Sequence, residues 1–183
     1  MKVTETRLPG VMLVEPRVFG DERGFFFESY QEERYQTACI PSRFIQDNVS
    51  KSQRGMLRGV HYQKGRSQAK LVQVIEGEVF DVAVDIREGS PHFGQWVGVV
   101  LSGENHHQLY IPEGFTHGFY TMSETAIFSY KCSDSYAADE ERGLVWNDPG
   151  VGIEWPDGPT PTLAQRDADF PLLKDIGVDL PKF

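Results

Sequence analysis

The sequence predicts an all-β fold, a jelly-roll barrel carrying one or two short helices, and three observations predict it. Its 18 glycines and 11 prolines are scattered along the chain at intervals of roughly eight to twelve residues, the punctuation of short strands alternating with turns. Runs rich in β-branched and aromatic residues recur between these breaks. Helical patterns that would cover a parallel sheet are missing, so an antiparallel barrel with an open mouth for a ligand fits better than an α/β fold.

Taken in order, VMLVEP (11–16) and GFFFES (24–29) read as the first strands. The one convincing helix follows, with Ser29 and Glu32 spaced as a capping box, QEERYQTA as its body and Pro41 as its stop. A second strand-like run spans 56–63. The segment LVQVIEGEVFDVAVDI (71–86) reads as the clearest hairpin, turning at Glu76-Gly77-Glu78, with Phe80, Val82, Val84 and Ile86 alternating against Asp81, Ala83 and Asp85. WVGVVL (96–101), QLYIP (108–112), HGFYTM (117–122) and AIFSYKC (126–132) supply further strands, and PLLKDI in the tail suggests a second helix.

A chain of 183 residues supports one core, so a single domain over 1–183 is expected. Hydrophobic content of 39% and aromatic content of 12% exclude disorder. Lys+Arg 18 against Asp+Glu 27 gives a formal net charge of -9, which argues against nucleic acid or an anionic membrane as partner. It does not exclude a small anion held by two or three local cations. Cys39 and Cys132 form no CxxC or zinc spacing, the N-terminus lacks a signal-like apolar stretch, and a soluble, cytoplasmic protein with free thiols is expected. No GxGxxG or GxxxxGK[ST] cradle is present.

Arg58 and His61 sit three apart in the apolar run Met56 to Gln63. Strict alternation puts them on opposite faces, and Gly59 between them predicts a bulge that re-aims one. Taken singly, such a histidine is more often a hydrogen-bonded core residue. Pro112 to Phe119 has the P-x-G-x-x-H spacing of the second cupin motif, delivering His117 to a strand start. The matching first motif keeps His61 but has Gln63 in place of a second histidine, and Arg66, Ser67 and Gln68 where a glutamate ligand is expected, so the pocket is expected to be metal-free. His106 and His107 read as surface residues. Tyr130 shares parity with Phe128 and Cys132 and should point inward, either as a core tyrosine or as a general acid. Lys70 shares parity with Val72 and Val74, which directs it into the barrel, although a lysine at a strand end usually faces solvent. Asp167 is undistinguished locally.

In order, these segments resemble the dTDP-4-dehydrorhamnose 3,5-epimerase family, a group of metal-free cupins. The resemblance rests on Asp21-x-Arg23-Gly24-x-Phe26-x-Glu28, Gln46-Asp47-Asn48-x-Ser50, Leu57 to His61, Gln68 to Val72, Asp81 to Arg87, Ser90 to Gly94, Pro112 to Phe119, Tyr130, Tyr136 and Trp146 to Pro149, and covers almost the whole chain. It implies inversion of C3 and C5 of dTDP-4-dehydro-6-deoxy-D-glucose without a cofactor. It further implies His61 as base, Asp167 as its orienting carboxylate, Lys70 at the enolate oxygen and Tyr130 as acid. Arg58 and Arg23 would meet the diphosphate, while Glu28, Gln46, Asp47, Asn48, His117, Tyr136 and Glu141 would position nucleotide and sugar. An N-terminal segment exchanged in a homodimer, bringing Arg23 and Glu28 to the partner's site, is implied as well. Ala164 stands where the family usually has serine. A single-centre epimerase of another dTDP-4-keto-deoxysugar path is the alternative, and a noncatalytic sugar-nucleotide-binding cupin comes after it.

Overall fold

The computed structural model describes residues 1–41 and 43–181. Its elements are β1 (Lys2–Glu5), β2 (Met12–Glu15), β3 (Phe19–Asp21), β4 (Gly24–Phe26), α1 (Glu32–Thr37), β5 (Gln46–Gln53), β6 (Leu57–Gln63), β7 (Lys70–Glu76), β8 (Glu78–Asp85), β9 (Trp96–Ser102), β10 (Gln108–Ile111), β11 (Phe115–Thr121), β12 (Thr125–Cys132), β13 (Glu141–Gly143) and α2 (Gln165–Ala168), with two short 3-10 turns in the tail, Leu173–Asp175 and Gly177–Asp179. A six-stranded sheet in the order β1-β2-β10-β7-β12-β5 faces a five-stranded one in the order β13-β6-β11-β8-β9, and β3 and β4 form a small ribbon of their own. All pairs between these strands are antiparallel. This is the all-β, cupin-like jelly roll expected from the sequence.

Between the sheets, Val72, Val79, Leu101, Leu109, Ile111 and Phe128 belong to one dry cluster. A second cluster lies on the outer face of the five-stranded sheet, where Val60, Val82, Val84 and Ile86 meet Leu144, Ile176 and the partly buried Trp155 of the C-terminal tail. The third seats α1 through Tyr35, against Val14, Leu71 and Tyr110. Strand β8 is thus covered on both sides, which explains why its odd positions, Asp81 and Asp85 included, are as buried as its apolar even ones.

Three local expectations are corrected. The segment 71–86 is not a hairpin: β7 pairs with β10 and β12, whereas β8 pairs with β9 and β11 in the other sheet. Gly77, with φ +82, makes the corner, and a Cβ there would lie 2.1 Å from the Thr125 carbonyl oxygen. Two apolar runs about a tight glycine turn look alike whether the strands pair or part. The α1 cap is Gln31 rather than Ser29, because the Gln31 side chain accepts from the Arg34 N–H at 2.7 Å. Ser29 instead offers its carbonyl to Tyr35 and Gln108. The tail around 171–176 holds only 3-10 turns, and the helix it was expected to form is replaced by α2 slightly upstream.

The anticipated irregularity at Gly59 is present. His61 pairs with His117 and Arg58 with Phe119, so one residue more lies on β6 than on β11 between these pairs. Gly59 has φ +118 and its position leaves no room for a side chain, since a Cβ would sit 2.5 Å from Gly118 Cα. Among the described residues no helix is long and apolar enough to cross a membrane.

Gly77→Ala should destabilise the fold by about 3 kcal/mol, through backbone strain at positive φ plus the collision with β12, lowering Tm by roughly 6–12 °C. Gly89→Ala, with similar φ but nothing within 4 Å, should cost only about 1 kcal/mol. Thermal denaturation of the pair checks this, and equal losses would count against the corner's steric origin.

Candidate active site

One end of the space between the sheets is filled by the dry cluster; the other is a cavity of about 580 Å³. Its walls come from β5, β12 and β7 on the six-stranded sheet and from β6, β11 and β13 on the five-stranded sheet, with 163–167 at the mouth.

The bulge at Gly59 brings Arg58 and His61 to the same cavity despite their odd spacing. The tail then closes over β6. Thr162 N–H donates to the Gly55 carbonyl at 2.8 Å, and Leu57 N–H donates to the Thr162 carbonyl at 2.9 Å. That bridge aims α2 at the histidine. Asp167, 3% exposed, accepts from His61 Nε2 at 2.9 Å, from the Gly59 N–H at 3.3 Å and from Arg166 Nε at 3.3 Å. Burial pushes the Asp167 carboxyl up, but these donors outweigh it and hold the group below its ordinary value. An ionised Asp167 fixes the His61 tautomer with its proton on Nε2, leaving the Nδ1 lone pair free in neutral His61. Nδ1 lies 3.9 Å from Glu141 Oε1. Phe170 packs edge-on to the imidazole, with ring centroids 5.6 Å apart.

Lys70 and Tyr130 stand on the opposite wall. Burial pushes the Lys70 ammonium down from its ordinary value, and no carboxylate lies within 4 Å of it among the described residues. Burial likewise pushes the Tyr130 phenol up, so it stays protonated at neutral pH. Cys132, paired across the ladder with Lys70, is a neutral thiol raised by the same cause. Deeper in, His117 Nε2 lies 2.9 Å from Asp81 Oδ2. Asp81 is fully buried, its other oxygen lacks a hydrogen-bond partner among the described residues, and burial raises its carboxyl although His117 and Lys70 work against this.

At the mouth, Arg58 lines the cavity and is braced by β5: its Nε donates to Ser52 Oγ at 2.9 Å and its Nη2 to the Lys51 carbonyl at 3.4 Å. Gln46, Asn48 and Ser50 face inward by strand alternation. Tyr136 donates its hydroxyl to Glu141 Oε2 at 2.8 Å, and Glu141 also accepts from Arg166. Among the described residues no three His, Cys, Asp or Glu side chains are grouped to hold a metal ion.

Three residues singled out from the sequence are not brought here. Asp47 lies on the outward face of β5, where it pairs with Lys131 at 2.9 Å; its parity is opposite to that of Gln46 and Asn48, so it does not line the cavity of its own chain. Arg23 is bound to Asp21 on the β3–β4 ribbon, and Glu28 pairs with Arg34 of α1. Sequence reasoning overlooked Arg166, Ser52, Phe170 and, as a site residue, Asp81. An acid set between Phe80 and Val82 in β8 was the available signal for Asp81; Arg166 and Phe170 gain meaning only once the tail is docked.

The model of a family described as dTDP-4-dehydrorhamnose 3,5-epimerase matches residues 5–175. The chain is similar to the dTDP-4-dehydrorhamnose 3,5-epimerase of Pseudomonas aeruginosa, with 56% identity over 91% of this chain and 93% of that one. With the enzyme of the same name from Salmonella typhimurium, identity is 54% over 94% and 96%. Among solved structures, a dTDP-6-deoxy-D-glucose-3,5-epimerase from Legionella pneumophila in complex with dTDP-4-keto-L-rhamnose superposes with a TM-score of 0.97 at 51% identity, covering 100% of this chain and 98% of that one.

Lys70→Met should stabilise the protein by roughly 1 kcal/mol at pH 7 while removing the ammonium from the cavity. With its folded value depressed below 10.5, the charged lysine costs stability at neutral pH, and that cost fades as pH rises toward 10.5. The stability gain, measured by urea denaturation, should therefore shrink between pH 7 and pH 10; a destabilised variant at pH 7 would contradict the buried charge.

Proposed function

The chain belongs to the dTDP-4-dehydrorhamnose 3,5-epimerase family, and from that premise we propose how its cavity carries the inversion of C3 and C5 of dTDP-4-dehydro-6-deoxy-D-glucose to give dTDP-4-dehydro-L-rhamnose. The observation that carries the reading is the opposition of His61 on one sheet to Tyr130 on the other. Inverting a carbon requires a proton to leave one face and another to arrive on the opposite face, so base and acid must approach from opposite walls.

The C4 ketone acidifies the hydrogens at C3 and C5. His61, held in one tautomer by ionised Asp167, removes a proton through Nδ1 and becomes an imidazolium that the carboxylate stabilises. Negative charge developing on the C4 oxygen meets the Lys70 ammonium, whose effect is strong because it sits in a poorly solvated site. Tyr130 then delivers its proton to the other face, and solvent exchange restores both groups before the second centre reacts. Arg58, pre-aimed by Ser52, takes the diphosphate, and Tyr136 with the Gln46–Asn48 wall takes the nucleotide and sugar. His117 and Glu141 complete the sugar's polar surroundings.

Arg23 and Glu28 fit the same scheme in a homodimer with an exchanged N-terminal segment. Phe25 and Phe26 of the ribbon are 60% and 69% exposed, an apolar surface suited to a second copy. In that arrangement Arg23 of each chain serves the partner's cavity.

In deuterium oxide the wild-type enzyme should place deuterium at both C3 and C5, and His61→Ala should lose exchange at both; exchange persisting in the variant removes His61 as base, and label at one carbon only selects a single-centre epimerase. For the dimer, co-refolding inactive Arg23→Ala with inactive His61→Ala should recover about a quarter of wild-type activity, since half the dimers are mixed and each carries one intact site. Absence of any recovery would keep Arg23 out of the neighbouring site.

A further inference from the structure

Four side chains, the base His61 among them, form a closed ring. His61 Nε2 meets Asp167 at 2.9 Å, Arg166 Nε donates to the same Asp167 oxygen at 3.3 Å, Arg166 Nη1 donates to Glu141, and Glu141 Oε1 returns to His61 Nδ1 at 3.9 Å. We infer that Arg166 is a positioning residue acting through Asp167 and Glu141: in the resting enzyme it holds both carboxylates in place beside His61, and it releases them when an anionic group of the substrate draws its guanidinium away. This rests on the reading of His61 as the base.

The Arg166 side chain is 54% exposed and, among the described residues, is held by Asp167, Glu141 and Tyr136 alone, in contrast to Arg58, whose Nε is fixed on buried Ser52. It can therefore swing while Arg58 stays. Its present contacts to carboxylates are single-pronged, whereas a diphosphate offers paired oxygens matching the planar fork. The exchange is thus favourable once a doubly charged ligand occupies the mouth.

The charge count gives the exchange a chemical effect. Facing the His61 ring are Asp167 and Arg166 from α2, Glu141 from β13, His117 from β11, with Asp81 of β8 behind it, and Tyr130 and Lys70 across the cavity. Arg58 lies on the same strand. Among the described residues Arg166 is the one cation that touches both carboxylates beside the imidazole. With it in place these two anions are half neutralised; with it drawn away they favour a protonated His61, which is the state that proton abstraction produces. The base is thereby strengthened when substrate is bound and restrained when the cavity is empty.

The test compares wild type, Arg166→Gln and Arg166→Lys, using the dTDP-4-keto sugar for pH–rate profiles and NMR titration of the His61 imidazole in substrate-free protein. Arg166→Gln should move the acid limb of kcat/KM, and the substrate-free His61 titration, upward by about one pH unit. Arg166→Lys should restore most of that shift. A raised KM with limb and titration both unmoved would make Arg166 a substrate ligand alone and overturn the inference. Failure of wild type itself to exchange deuterium would instead defeat the base assignment, and the imidazole titration would still report on the ring.

Discussion

The site depends on burying one carboxylate without losing its charge. Asp167 is nearly sealed from water, and an ionised carboxylate survives there only because donors converge on it from a strand, a backbone amide and its own helix. Each donor imposes something on the fold. The Gly59 amide is free to point at Asp167 because β6 departs from its ladder there, and the departure is possible because two glycines, Gly59 and Gly118, pass closer than any side chain would permit. The imidazole reaches Asp167 because the tail, 106 positions further along the chain, returns to β6. Asp148 then anchors that tail by accepting from the Leu173 amide at 2.6 Å. Fold, tail docking and base orientation are therefore one linked requirement.

That linkage explains which parts were legible in the sequence. Strand runs such as 96–101, 108–112 and 126–132 announce themselves because one-sided or two-sided burial demands β-branched and aromatic residues. Lys70 and Tyr130 could be aimed inward by parity with their apolar neighbours, and Gly59 marked its own irregularity. Strand β5 was invisible: its inward positions, Gln46, Asn48 and Ser50, are polar because they wall a wet cavity, and its outward ones, Asp47, Lys51 and Gln53 with a single exposed Val49, face water. No hydrophobic alternation remains to betray such a strand. Gly77 misled for the opposite reason, since the apolar pattern of β7 and β8 is the same whether they pair or part company. Asp167 and Arg166 carry no local signal, because their meaning is created by a contact with His61 across most of the chain. The role of Asp167 and those of the mouth residues were readable only through kinship, and Arg166 was not singled out at all.

The cavity is also where stability has been given up. Lys70 sits where burial disfavours its charged form, and Asp81 keeps a carboxyl in the core with one oxygen lacking a partner among the described residues. The apolar clusters on either face of β8 offset these costs, one between the sheets beside the cavity and the other on the outer face of the five-stranded sheet.

Strand β5 has one further consequence. It is the last strand of its sheet, with a single backbone ladder, to β12, and a few polar side-chain ties such as Arg58 to Ser52, and almost none of its side chains is anchored by hydrophobic burial. Few buried apolar contacts and an open edge are the features of segments that open locally at low free energy, before the core does. The same largely polar edge resists pairing with foreign strands, so an opened wall would not become a seed for aggregation.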